Sequence, residues 1–192
     1  MHMATRAPAR TRPANPFVWT RAHLERLPDD GNRYEVLDGA LFVTPLPTAV
    51  HQFVATNLTV RLHAYCVEHG LGIAVGPGAV VFGKNELQPD VVVFPRGPRH
   101  RKEKWASLPR PLLAVEVLSD STSRRDLGLK QEAYIRRRRI PEYWAVDDEE
   151  RRVHVWKVGT PGETIVTRVL RWQPREDIAT LEIDLRDVLP PA

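Results

Sequence analysis

The chain has 192 residues, enough for one ordinary globular domain and too few for two independent ones. A hydrophobic share of 42% and a charged share of 27% exclude a wholly disordered, collagen-like or membrane-embedded chain. The formal net charge of +4 is carried by 23 Arg and only 5 Lys, and because a guanidinium fork matches phosphate geometry, a phosphate-bearing partner suits such a composition.

Residues 1–15 hold Arg6, Arg10 and Arg12, no acid and no apolar stretch of the signal-peptide kind. They read as a flexible basic tail ahead of a single domain spanning residues 16–192, and secretion is not expected. Without the tail the net charge is only +1. Apolar runs such as Pro111 to Leu118 fall well short of the roughly 18 to 20 residues that span a bilayer, so no membrane segment is expected. The one cysteine, Cys66, excludes an internal disulfide framework and a cysteine-built zinc site, and a reducing cytoplasm is the default compartment.

In chain order, Thr20 is placed to cap a short helix with Leu24 and Leu27 inward, stopped by Pro28 and the turn formers Asp29 to Asn32. Tyr34–Leu37 and Ala40–Val43 flank Asp38-Gly39, the strongest short signal for a β-hairpin. From His51 to His69 the residues Val54, Leu58, Leu62, Tyr65 and Cys66 recur at helical spacing, with Gly70 at the C-terminal stop. Leu71–Val75, Ala79–Phe82, Asp90–Phe94 and Leu112–Leu118 are rich in Val, Ile, Leu and Phe and read as consecutive strands. Ser121 or Ser123 caps a second helix running to about Arg138, which Pro141 ends. Glu142–Val146 and Arg152–Val158 form a hairpin across the turn from Asp147 to Arg151. Thr164–Leu170 adds one more strand and Leu181–Leu189 a terminal segment.

Chemistry concentrates on two acids. Glu116 lies inside Leu112–Leu118, where both alternating faces are apolar, so the strand reads as buried on both sides. A carboxylate there costs several kcal/mol unless it is paired, hydrogen-bonded or bound to a metal. Asp90 follows Pro89, which cannot donate to a sheet ladder and belongs at a strand's beginning. Alone it suits a turn or a cap. Beside Glu116 on a neighbouring strand it becomes half of a site for a hard cation such as Mg²⁺.

Pro89-Asp90 followed by Glu116 in a hydrophobic strand resembles the core of the PD-(D/E)XK nuclease superfamily. The ordered set Tyr34–Gly39, His51, Gln88-Pro89-Asp90, Val115–Ser119, Arg124–Lys130, Tyr134 and Pro141–Asp147 resembles, more narrowly, a large bacterial family of restriction-endonuclease-like proteins. The likeness runs from about Thr20 to Asp147. The superfamily places a lysine two positions after the glutamate, where this chain has Leu118, and the resemblance points to Lys130 of the following helix as its replacement. Ser119-Asp120-Ser121-Thr122 and the loop Arg136–Ile140 also depart from the family's usual pattern.

The resemblance implies a restriction-endonuclease-like α/β fold, a mixed β-sheet flanked by α-helices with an N-terminal helix and a β-hairpin. It implies Mg²⁺ (or Mn²⁺) held by Asp90, Glu116 and the backbone carbonyl of Val117, and a nuclease that hydrolyses phosphodiester bonds in DNA. Lys130 and Glu35 complete the implied catalytic set. Lys130 acts on the nucleophile or the transition state, the alternative being a mere i, i+4 pair with Asp126 on an exposed helix face. Glu35 assists the metal or the water, the alternative being a hairpin surface residue. His51 is expected to touch a phosphate or polarise Glu35, Tyr134 to pack its helix, hydrogen-bond within the site and meet substrate, and Arg124 to meet substrate.

Two basic clusters, Arg96–Lys104 and Arg136–Arg139, each carry a local charge of +4 and flank these residues in sequence. They suggest a rim that tracks a nucleic-acid backbone, with Arg136 and Arg137 in contact with substrate. A homodimer is the assembly that double-strand cutting would favour. The rival reading, which the absent lysine at position 118 favours, is a non-catalytic DNA-binding or assembly module on the same fold.

Overall fold

The computed structural model describes residues 17–119 and 123–191. The basic tail and the Ser121 cap fall outside these. A six-stranded mixed sheet forms the centre, in the order β10-β9-β8-β7-β6-β3, where β3 is Ile73–Val75, β6 Val91–Phe94, β7 Leu113–Val117, β8 Glu142–Asp147, β9 Arg152–Lys157 and β10 Thr164–Val166. Only β7 and β8 run parallel. Every residue of β6 and β7 is buried, as continuous apolar runs require of strands covered on both faces.

One face is covered by the helix α2, Ala49–Glu68, opened by Thr48, whose hydroxyl accepts from the His51 N–H at 3.3 Å. Leu58, Leu62 and Cys66 of α2 pack with Val91, Val93, Val115 and Trp144 of the sheet. The antiparallel ribbon of β11, Val169–Trp172, and β12, Leu181–Asp184, closes this core, its Trp172 lying 5.7 Å from Tyr65 and 6.4 Å from Trp144 between ring centres.

The other face is covered by a second sheet and a second helix. The hairpin β1 (Arg33–Leu37) and β2 (Ala40–Thr44) joins β5 (Asn85–Leu87) and β4 (Val80–Phe82) in an antiparallel sheet ordered β2-β1-β5-β4. Asp38 and Gly39 both take positive φ, 52° and 81°, as a two-residue hairpin turn of type I′ demands. The second helix, α3, begins at Ser123–Arg125 and continues as π-helical turns over Asp126–Lys130 and Glu132–Arg137. Its Ala133 and Tyr134 pack with Leu37, Tyr143 and Trp156.

The mixed sheet, both long helices and both hairpins thus stand where the sequence predicts them, and four expectations change. The short N-terminal helix, α1, covers only Arg21–Leu24, so Leu27 lies beyond it. The consecutive strands divide between two sheets, β3 and β6 in one and β4 in the other. Asn85–Leu87, too polar to read as a strand, is one because the turn at Gly83 folds it back on β4. Thr164–Leu170 is not one strand but parts of two, in different sheets.

The core's tightness is testable on α2. Leu58 is fully buried and Val60, two residues on, is 61% exposed. Leu58→Ala is expected to lower the unfolding free energy by about 2–5 kcal/mol in urea titration, and Val60→Ala by under about 0.5 kcal/mol.

Candidate active site

Antiparallel pairing of Val91 with Val115 sets the register of β6 and β7, and continuing it by one residue brings Asp90 level with Glu116 on adjacent strands. Both are almost wholly buried. Asp90 is held from three sides: Arg33 Nη1 lies 2.7 Å from Oδ1, the Val117 N–H donates to Oδ2 at 2.8 Å, and His51 Nε2 lies 3.1 Å from Oδ2. Gly76 packs so closely beneath that an added Cβ would come within 2.5 Å of the Asp90 carbonyl oxygen. Burial pushes the Asp90 carboxyl up, but the His51 hydrogen bond and the Arg33 charge outweigh it and hold the group below the usual carboxylate range. His51 answers in kind: burial pulls it down, and Asp90 raises it above an ordinary histidine.

Lys130 stands at the second focus. Its Nζ lies 2.8 Å from Glu116 Oε1, 2.9 Å from Glu35 Oε1 and 3.4 Å from Asp126 Oδ1. Lys130 does pair with Asp126, but inside the protein and together with two further carboxylates, not on an exposed helix face. Burial pulls its pKa down, yet the three negative charges outweigh that and hold the ammonium above its usual range. Burial also raises Glu116, which Lys130 pulls down while Asp126, Asp90 and Glu35 push it further up, so its carboxyl stands well above the usual carboxylate range. Tyr134 donates to Glu116 Oε1 at 2.8 Å. Glu35 is fully buried rather than a hairpin surface residue, because β1 faces the six-stranded sheet; its Oε1 also accepts from the Gln88 N–H at 2.8 Å.

Above these groups opens a cleft of about 330 Å³, lined by Asp90, Glu116, Val117 and Lys130, by Arg33, Arg125 and Asp126, by Thr48 and His51 at the start of α2, and by Asp148 and Glu149 of the β8–β9 turn. His51 reaches Asp90, not Glu35 as one expectation had it. Tyr134 is fully buried, so it acts on Glu116 and does not meet substrate directly. The Arg124 side chain lies outside what the structure describes, while its neighbour Arg125 lines the cleft. Neither basic cluster lines it: Arg96 bonds Glu103, and Arg137 bonds Asp38 and Glu132 at the far end of the helix. Sequence reasoning passed over Arg33 and Arg125. Arg33 stands two positions before Glu35, hence on the same face of its strand, and that alternation is the signal that could have found it.

The donors suit a hard divalent cation in kind. Among the described residues no three His, Cys, Asp or Glu side chains converge as a metal cage. What the cleft offers is two carboxylates on adjacent strands with the Val117 backbone between them, an all-oxygen set of the sort Mg²⁺ takes while keeping several waters.

Because Lys130 neutralises carboxylates that have no water to fall back on, Lys130→Met is expected to destabilise the fold by about 3–5 kcal/mol. Adding Glu116→Gln should return part of the loss, and a double-mutant cycle in urea measures it. Tyr134→Phe, which removes one hydrogen bond to a buried acid, should cost about 1–3 kcal/mol.

Comparison with known proteins bears on this arrangement. No curated protein matches the chain. The crystal structure of a putative nuclease from Anabaena variabilis superposes with a TM-score of 0.72, covering 88% of this chain and 96% of that one at 19% identity, which is likeness of fold. The family model Uma2, described as "Putative restriction endonuclease", matches residues 21–188 and so takes in every cleft residue from Arg33 to Glu149. With most of its length inside that match, the chain belongs to the Uma2 family of putative restriction endonucleases.

Proposed function

We propose that the protein is a metal-dependent endonuclease that hydrolyses phosphodiester bonds in DNA. One observation carries the reading: Lys130, supplied by a helix, stands 2.8 Å from Glu116 and so delivers in space the lysine that Leu118 denies the strand. The Lys130 position supports this reading over a non-catalytic module, whose case rests on Leu118.

Asp90, Glu116 and the Val117 carbonyl would hold the cation, Mg²⁺ or Mn²⁺. Once bound, such an ion lowers the pKa of its water and offsets charge on the phosphate. The chain's own groups do the rest. Lys130 keeps its proton and offers a fixed positive charge where negative charge builds on the phosphoryl oxygens, in a site too dry to screen it. Glu35 and Asp126 hold that ammonium in place. Tyr134 fixes the rotamer of Glu116 from behind, and Arg33 with His51 fixes Asp90. Glu35 Oε2 is buried without a hydrogen-bond partner among the described residues, 3.4 Å from Arg125, so Glu35 assists from behind the cleft, through Lys130 and Arg125.

On this reading Asp90→Ala and Glu116→Ala abolish Mg²⁺-dependent cleavage of duplex DNA while circular dichroism stays native, and Lys130→Met lowers the rate by about 100- to 1,000-fold. Undiminished cleavage by either alanine variant would refute it. The exposed Arg136, in the last turn of the helix, and Arg139, just beyond it, are the members of that cluster with guanidinium groups to spare for a DNA backbone. Replacing both with Ala should flatten the dependence of log affinity on log salt by about 0.9 for each phosphate no longer neutralised, measured by fluorescence anisotropy.

A further inference from the structure

Two guanidinium groups in the cleft have no part in the scheme above beyond steadying carboxylates. Arg33, on β1, spends only Nη1 on hydrogen bonds among the described residues, donating to Asp90 Oδ1 at 2.7 Å and to the Gln88 carbonyl at 3.0 Å. Arg125, in the first turn of α3, donates through Nη2 to Thr44 Oγ1 at 3.2 Å, and the same nitrogen lies 3.4 Å from Glu35 Oε2. Its Nε is buried, makes no hydrogen bond among the described residues, and lies 3.7 Å from Asp126 Oδ1. The group is held against the Phe42 ring, 5.0 Å from the ring centre. Both side chains are mostly enclosed, 18% and 15% exposed, yet both line the cleft.

Resting on the nuclease reading, we propose that Arg33 and Arg125 form a phosphate clamp, binding the non-bridging oxygens of the substrate phosphodiester. A guanidinium offers five N–H donors in a planar fork, and each of these two has used only part of its set. Their positions are fixed in advance by Asp90, the Gln88 carbonyl, Thr44 and Phe42, so little side-chain entropy is lost on binding. The start of α2 adds to the pull. Pro47, Thr48 and His51 line the same cleft, the helix runs for 20 residues, and its first turn holds no acidic side chain, so the positive end of its dipole is left for an external anion. Asp148 and Glu149 also line the cleft and repel an anion, which confines it to the arginine side.

The division of labour is then distinct from that of Lys130. Lys130 is bonded by three buried carboxylates and acts on charge that develops during reaction. The arginines hold the phosphate before reaction begins.

The test is titration of the full chain with inorganic phosphate, without added metal, followed by ³¹P NMR and calorimetry. Wild-type protein should bind phosphate. Arg33→Gln and Arg125→Gln should each weaken binding by about 10- to 100-fold, the loss of one or two hydrogen bonds to a charged group. Arg33→Lys and Arg125→Lys, which keep a cation beside Asp90 and Glu35 and so keep the fold, should recover part of that affinity. In duplex-cleavage assays the Lys variants should raise KM more than they lower kcat, a split that a merely structural role would not produce. Wild-type protein that binds no phosphate, or variants that bind it as well as wild type, would overturn the clamp. The nuclease reading is judged separately, by whether wild-type protein cleaves DNA with Mg²⁺ and Asp90→Ala does not.

Discussion

A single ammonium group organises this molecule. Lys130 Nζ is out of water and within 3.4 Å of Glu35, Glu116 and Asp126, which come from the small sheet, the central sheet and its own helix. Each of those carboxylates would be costly to bury alone, and so would the ammonium. Together they are tolerable, and only when all three elements stand in register. The cluster therefore links the layers of the fold by electrostatics as well as by packing, and an arrangement of this kind specifies a structure more than it stabilises one.

The way the layers are built follows from that requirement. The central strands are buried on both faces, so the charged groups of the site enter from the ends of β6 and β7 and from the elements laid over them. The four-stranded sheet presents Arg33 and Glu35 from alternate positions of β1, and the helix presents Arg125, Asp126, Lys130 and Tyr134. In that helix the chain departs from α-helical hydrogen bonding, with π turns over Asp126–Lys130 and Glu132–Arg137. Such turns often mark functional positions in helices, and here they cover the two residues that bond Glu116. Asp90 is secured differently, by Arg33, His51 and the Val117 N–H, so the two carboxylates sit side by side in unlike surroundings. One is kept ionised by cations at hydrogen-bond distance; the other is kept poised by burial among like charges.

Much of this was legible in the sequence because it rests on local rules. Period-3.6 spacing marks α2, an Asp-Gly pair marks the first hairpin, and a lone Glu within an apolar strand announces that something must neutralise it. The spacing of Pro89-Asp90 and Glu116 then pointed to a family, and through it to Lys130. What was not legible depends on which sheet a strand joins. Asn85–Leu87 has no strand-like composition, and nothing local says that β3 and β4 part company. The same blindness hid Arg33 and Arg125, ordinary surface arginines until β1 and the helix are folded over the carboxylates. It also hid how far the basic clusters stand from the cleft. Arg136–Arg139 is close to Lys130 in sequence, but two helical turns carry it away from the cleft, and Arg137 is taken up by Asp38 and Glu132.

On this account a helix-borne lysine takes the place of one that the strand lacks. Position 118 lies two residues beyond Glu116, just past the end of β7, and Leu118 lines the same cleft, so a lysine there has the carboxylate within reach. The direct measurement is Mg²⁺-dependent cleavage of duplex DNA by Lys130→Met and by Lys130→Met combined with Leu118→Lys. The account predicts that the single variant loses activity and that the double variant regains a measurable part of it. Cleavage by Lys130→Met at the wild-type rate would contradict it.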